Sequence, residues 1–231
     1  MSDQAKIGKH PRGLYVLFFT EMWERFGYYL MVGILFLFLT NSTGKGLPRA
    51  LGADVVGTFI ALVYLTPFIG GLLADRYLGY IKSIFIGGSL MAAGYLTIAL
   101  PGEYTAYIAM GLIIIGNGFL KPNISTLLGN MYNREDLQPL KDNAYNIFYM
   151  GINIGAFFCN FVAAILRNRI SWQAAFSAAG IGLIIGLITL ALSLKHIKQY
   201  DVKKPMQPGD TPTSKIFGTV FLPMLVFAAI G

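Results

Sequence analysis

Cysteine and histidine are nearly absent: Cys159 is the single cysteine, and His10 and His196 are the two histidines among 231 residues. One thiol cannot close an intrachain disulfide, and no Cys/His spacing of a metal site exists. Cys159, set in the apolar run GINIGAFFCNFVAAIL, is expected to pack, and no metal is expected. Charge is scarce as well. Only 13% of the residues are charged and 55% are hydrophobic, with a mean hydropathy of +0.59. An ordinary soluble domain carries about 25% charged residues, so this composition points to an all-α integral membrane protein. The net charge of +7 comes without a basic stripe interleaved with aromatics, and no nucleic-acid partner is expected.

Long apolar runs are what the chain has in abundance. Crossing the hydrocarbon takes about 20 mostly apolar residues in a helix, and six segments qualify: 14–40, 55–74, 81–100, 104–128, 144–166 and 172–194. Polar turns such as NSTGKGLPRALGAD, PGE and YNREDLQPLKDN separate them, giving an up-down series. The first run carries Glu and Arg and lacks a small-residue cleavage site, so it reads as an uncleaved span. Lysine and arginine set the orientation. With the N-terminus in the cytoplasm, Lys6, Lys9, Arg12, Arg76, Lys82, Arg134, Lys141, Lys195, Lys198, Lys203 and Lys204 lie inside, against Lys45, Arg49, Arg167 and Arg169 outside. The basic surplus is therefore topological. The expected organisation is a six-helix bundle over 1–195, a cytoplasmic linker over 196–214, and the start of a further membrane helix over 215–231, in a chain expected to be incomplete. Buried charge in the first and fourth spans and none in the third and sixth fits a three-plus-three repeat.

Ionisable groups inside such spans are costly, about 2.5–3.5 kcal/mol each at the bilayer centre, and mark function. In the first span, Glu21, Glu24, Arg25, Tyr28 and Val32 follow an i, i+3, i+4, i+7 pattern and share a helix face, while Trp23 and Phe26 point elsewhere. In the fourth span Lys121 is followed by Pro122, which removes a backbone donor and kinks the helix, and Gly116 and Gly118 just before it permit close helix contact. Two cations and two carboxylates can form a neutral network. Protonating one carboxylate frees a cation for an anionic substrate group, which is the physical basis for coupling a proton to a substrate carboxylate.

These stretches resemble a known family. EMWERFGYY matches the ExxERFxYY signature of the proton-dependent oligopeptide transporters of the major facilitator superfamily. GGLLADRYLGYIKS resembles the superfamily's loop between helices two and three together with a first family signature. GNGFLKPNIS resembles the family's fourth helix, and YNIFYMGINIGAF its FYxxINxG signature. The resemblance covers almost the whole chain and implies the N-terminal six-helix bundle of a major facilitator fold.

It also implies roles. Glu21, Glu24 and Arg25 resemble the proton-coupling triplet, and Lys121 the lysine that pairs with it; Arg25 and Lys121 would hold a peptide's C-terminal carboxylate. Tyr28, Tyr29 and Tyr64 resemble the aromatic wall of the peptide site, and Asn153 the asparagine that bonds the peptide backbone. Arg49 stands where members can carry an arginine of the extracellular gate. Asp75 and Arg76 read as a latch against a neighbouring helix that biases outward- against inward-facing states. Members often continue the signature as YYGMR; Leu30, Met31 and Val32 stand here instead, without the second arginine.

The expected function is proton-coupled import of di- and tripeptides by alternating access in a plasma membrane, the inner membrane if bacterial. No cofactor is expected beyond the proton, and a C-terminal six-helix half would complete the site. The same fold with another cargo, such as nitrate, another small anion or a peptide-like drug, is the alternative. An intramembrane enzyme would need a nucleophile beside a base or a metal set, and neither Cys159 nor the polar-segment histidines supply one. A membrane scaffold has no use for costly charges on facing helices.

Overall fold

Hydrocarbon offers no water to backbone donors, so apolar runs fold as helices that satisfy their own backbone. The computed structural model describes residues 9–203, 211–216 and 218–219. Its long helices are α1 (Arg12–Thr40), α2 (Arg49–Leu73), α3 (Tyr80–Thr97), α4 (Thr105–Met131), α5 (Lys141–Arg169) and α6 (Trp172–Leu192). A π-helical turn, Ala74–Leu78, continues α2. Pro11 and Pro48 stand just before α1 and α2, where a missing N–H costs nothing. Ser171 caps α6, its side chain accepting from the Ala174 N–H at 3.1 Å.

Several boundaries differ from the sequence reading by up to six residues, two of them for a visible reason. Helix α2 starts at Arg49 rather than at residue 55, because nothing between Pro48 and the apolar run breaks a helix. Helix α3 ends at Thr97, short of residue 100, as the chain turns toward Pro101 and Gly102, whose φ of 130° closes that turn. Among the described residues five helices are long and apolar enough to cross a membrane; α3, at 18 residues with Lys82 inside it, is not one of them. Lys6, Lys204 and most of the expected further helix over 215–231 lie outside the described residues, of which a short helix, Thr213–Ile216, is described.

The helices run alternately up and down. One end gathers the N-terminal segment and the α2–α3, α4–α5 and post-α6 segments: His10 Nδ1 shares a 2.7 Å hydrogen bond with the Tyr132 hydroxyl, and the Tyr80 N–H donates to Asp201 Oδ1 at 2.7 Å. The other end joins the remaining loops, with Lys45 Nζ on Gly102 O at 2.6 Å and Trp172 Nε1 on Thr43 Oγ1 at 3.1 Å. Helix α1 packs on α5 and α6, α4 packs on α2 and α3, and α3 meets α6. That pattern maps onto itself when α1, α2 and α3 are exchanged for α4, α5 and α6, as a three-plus-three repeat requires. The core sits along α1 and α4, at least half buried over their apolar windows, while less than a quarter of α2 and α5 is.

Glycines set the closest approaches. A Cβ at Gly155 would run into Met22 O and the Phe26 N of α1, and one at Gly151 would lie 3.0 Å from Phe18 O, so α5 seats backbone to backbone on α1. Gly155→Leu is therefore expected to lower the melting temperature in detergent by about 6–12 °C, from roughly 3 kcal/mol of overpacking. Gly57→Ala, where an added Cβ meets nothing within 4 Å, is the control and should leave it unchanged. A tolerated Gly155→Leu would contradict the close α1–α5 seat.

Candidate functional site

The three ionisable groups of α1 are buried together: Glu21 is 2% exposed, Glu24 0% and Arg25 2%. Their spacing along one helix brings them into contact. Arg25 forks onto Glu24, Nε and Nη2 donating to the two carboxylate oxygens, which is the strongest geometry for such a pair. Its Nε also lies 3.4 Å from Glu21 Oε1, whereas Glu21 Oε2 is buried without a partner. The guanidinium stands 5.0 Å from the Tyr28 ring centre and 5.8 Å from that of Tyr29, a cation–π arrangement that stiffens it from the opposite side.

Lys121 comes from α4. Its Nζ stands 5.4 Å from the ring centre of Tyr64 on α2, and it makes no hydrogen bond or ion pair among the described residues. The charges of Arg25, Glu24 and Glu21 act on it without direct contact. The neutral network expected from sequence is thus split: Arg25 takes the carboxylate contacts, and Lys121 supplies the balancing positive charge nearby. Tyr28 is buried, while Tyr29 and Tyr64 are 37% and 69% exposed at the open side of the bundle.

The other expected site residues lie apart from this cluster. Asn153 is exposed on α5 and has no hydrogen bond among the described residues. Arg49 opens α2, fifteen residues before Tyr64, or about 22 Å along the helix. Asp75 and Arg76 lie in the π-helical turn at the far end: Asp75 Oδ1 accepts from the Tyr80 hydroxyl at 2.7 Å, and Arg76 Nη1 donates to Thr211 O at 2.9 Å. Those contacts fasten the turn to the start of α3 and to the segment after α6. Lys203 Nζ adds a bond to Tyr77 O at 2.6 Å, so the post-α6 segment is fastened to this turn at several points.

Two residues that the sequence did not single out shape the site. Pro67 in α2 has no N–H for the carbonyl of Val63, and Asn117 of α4 supplies the donor instead, Nδ2 to Val63 O at 3.0 Å. Pro122 in α4 similarly leaves Gly118 O free, and Gly70 of α2 packs against it. The helices carrying Tyr64 and Lys121 are thereby locked together at two broken turns. The prolines were visible in sequence; the side chain that answers Pro67 stands 50 residues away on another helix. The second residue is Tyr95 of α3, fully buried, its hydroxyl without a partner and in electrostatic range of Glu24 and Arg25.

Chemically the cluster is a switch in charge pairing. Two buried carboxylates share one directly bound cation, so Arg25 can leave only if a carboxylate is neutralised or given another donor. Residues 81–223 match the family model described as the POT family. An uncharacterized transporter of Bacillus subtilis, YclF, is 42% identical over 190 residues, covering 80% of this chain and 38% of its own length. A di-/tripeptide transporter of Lactococcus lactis subsp. cremoris is 37% identical over 228 residues, covering 96% of this chain and 45% of its own. The chain thus spans less than half the length of these relatives. A crystal structure of a peptide transporter POT in complex with sulfate superposes with a TM-score of 0.81 at 36% identity, over 96% of this chain and 46% of that one.

Proposed function

The chain belongs to the POT family, with the major facilitator fold, and from that membership we propose that it forms one bundle of a proton-coupled symporter importing di- and tripeptides. A second six-helix bundle faces the open side that carries Tyr29 and Tyr64, and the two rock about a central site. The observation that supports this most is the pairing of a bidentate Arg25–Glu24 contact with a nearby Lys121 that has no anionic partner among the described residues. A peptide carboxylate is the group that suits both cations.

In the proposed cycle a proton enters from outside onto the acidic pair. Glu21, whose Oε2 is buried and unpartnered, is the carboxyl ready to carry it as a donor-bearing neutral group. Arg25 then turns from the carboxylates to the peptide, joining Lys121, while Tyr28, Tyr29 and Tyr64 wall the site and Asn153 bonds the peptide backbone. The proton leaves on the cytoplasmic side, where the basic loops and the N-terminus lie in a plasma membrane. Arg49 gates the outer face. Asp75, held by Tyr80 of α3, and Arg76, held by Thr211 after α6, bias the conformational equilibrium from the inner one.

The test is uptake into proteoliposomes containing the full-length protein. An inward proton gradient is expected to concentrate a labelled dipeptide, unlabelled dialanine to abolish that uptake, and nitrate to leave it unchanged. Uptake displaced by nitrate but not by dialanine would replace the peptide with an inorganic anion.

A further inference from the structure

We infer that Tyr95 of α3 is the reserve donor for Glu24, taking over its carboxylate when Arg25 turns to the substrate. The inference rests on the proposed proton-coupled peptide cycle and adds to it a residue that no signature of the sequence covers.

Four observations carry it. Tyr95 is 0% exposed, and its hydroxyl has no hydrogen-bond partner among the described residues. A buried polar group left unpaired is costly, so an idle phenol needs a reason. Its ring lies against α1 at Gly27: a Cβ there would stand 3.1 Å from Tyr95 Cε2 and 3.1 Å from Ala179 O. Gly27 is i+3 from Glu24 and therefore on the same strip of the helix, and its missing side chain is what lets the ring reach that strip. The charge acting most strongly on the hydroxyl is that of Glu24, followed by that of Arg25. Finally, Arg25 already occupies both oxygens of Glu24, which explains why the hydroxyl is idle in this state.

The cycle supplies the moment of use. Once Arg25 moves to a peptide carboxylate, Glu24 is a fully buried carboxylate that has lost two donated hydrogens. A phenol can give one back while remaining neutral, so no second charge has to move. The proton stays on Tyr95 throughout, and no covalent step is involved. Tyr95 thus acts through Glu24 and is a positioning residue. Arg25 and Tyr28 on α1 also act on it; of the helices packed against α3, α4 carries Tyr107 and Lys121 and α6 carries none.

Because the hydroxyl donates to the Glu24 carboxylate, its removal should matter where that carboxylate is present and not where glutamine replaces it. Tyr95→Phe keeps the ring on Gly27 and removes only the hydroxyl. In the full-length protein, Tyr95→Phe is expected to lower dialanine affinity about 10-fold in the wild-type background and less than about 2-fold in the Glu24→Gln background, from the loss of one charge-assisted bond. The peptide-free melting temperature is expected to stay the same or rise, since the hydroxyl has no partner in that state. An equal loss in both backgrounds, a lowered peptide-free melting temperature, or unchanged affinity throughout would each overturn the assignment. Wild-type protein that shows no proton-dependent dialanine uptake would instead remove the cycle on which it rests, so the two failures are told apart by the wild-type control.

Discussion

Glu24→Gln in the full-length protein is expected to reduce gradient-driven dipeptide uptake by about 100-fold or more. Among the described residues Glu24 alone accepts both arms of the Arg25 fork, and both residues are buried. Glutamine keeps the shape but offers one acceptor and no charge, and the Glu21 contact, at 3.4 Å to one nitrogen, is too long to take over the fork. Leaving a buried cation without its partner costs about 3–5 kcal/mol, which as a barrier to the cycle is about 100- to 5,000-fold. The variant is therefore expected to appear in the membrane at reduced thermal stability and to accumulate no labelled peptide under a proton gradient.

Glu21→Gln separates the two carboxylates. Glu21 gives Arg25 one long contact and leaves Oε2 unpartnered, so its amide should cost the fold little. What it removes is the proposed proton carrier. Glu21→Gln is expected to exchange labelled for unlabelled dipeptide across the membrane at a near-normal rate while failing to concentrate it. Concentrative uptake at the normal rate by either variant, followed in proteoliposomes with the gradient imposed, would end the assignment of proton coupling to this pair.

Legibility in the sequence followed contiguity. Glu21, Glu24, Arg25, Tyr28 and Tyr29 lie within nine residues of one helix, so a helical repeat alone puts the acids beside the arginine, and the structure has them there. The long helices were legible for the same reason, since each is a single apolar run. Their ends were less so: α2 reaches back to Arg49 and α3 stops at Thr97, because hydropathy marks where hydrocarbon can surround a helix and not where its hydrogen bonds cease. Contacts between distant runs were the least visible. Lys121 was expected to pair with the acids and stands over Tyr64 instead, because the α2–α4 crossing at Gly70 and Gly118 fixes where its side chain emerges. Asn117 opposite Pro67 and Tyr95 against Gly27 likewise depend on which helix faces which, and no spacing within one segment encodes that.

The position of Lys121 makes it the sharper test of what the site binds. A lysine paired to an acid would be a structural element, and its removal would strand the partner. Lys121 strands nothing: Glu24 already holds Arg25, and the ring of Tyr64 is its one close contact among the described residues. Lys121→Ala is accordingly expected to fold and to melt within a few degrees of wild type, while losing affinity for dipeptide. The loss should be about 10- to 150-fold, from one hydrogen bond to a charged group worth roughly 1.5–3 kcal/mol. If the lysine serves the peptide carboxylate, the penalty must vanish for a ligand without one. Wild type and Lys121→Ala are therefore expected to bind dialanine amide with equal, weak affinity, and to differ only for dialanine itself. A penalty that persists on the amide would move Lys121 out of the carboxylate site and into a purely electrostatic role toward Glu21 and Glu24. A wild-type affinity for dialanine in the variant would leave Arg25 alone to hold the substrate, and with it the requirement that the Arg25–Glu24 fork open at every turnover.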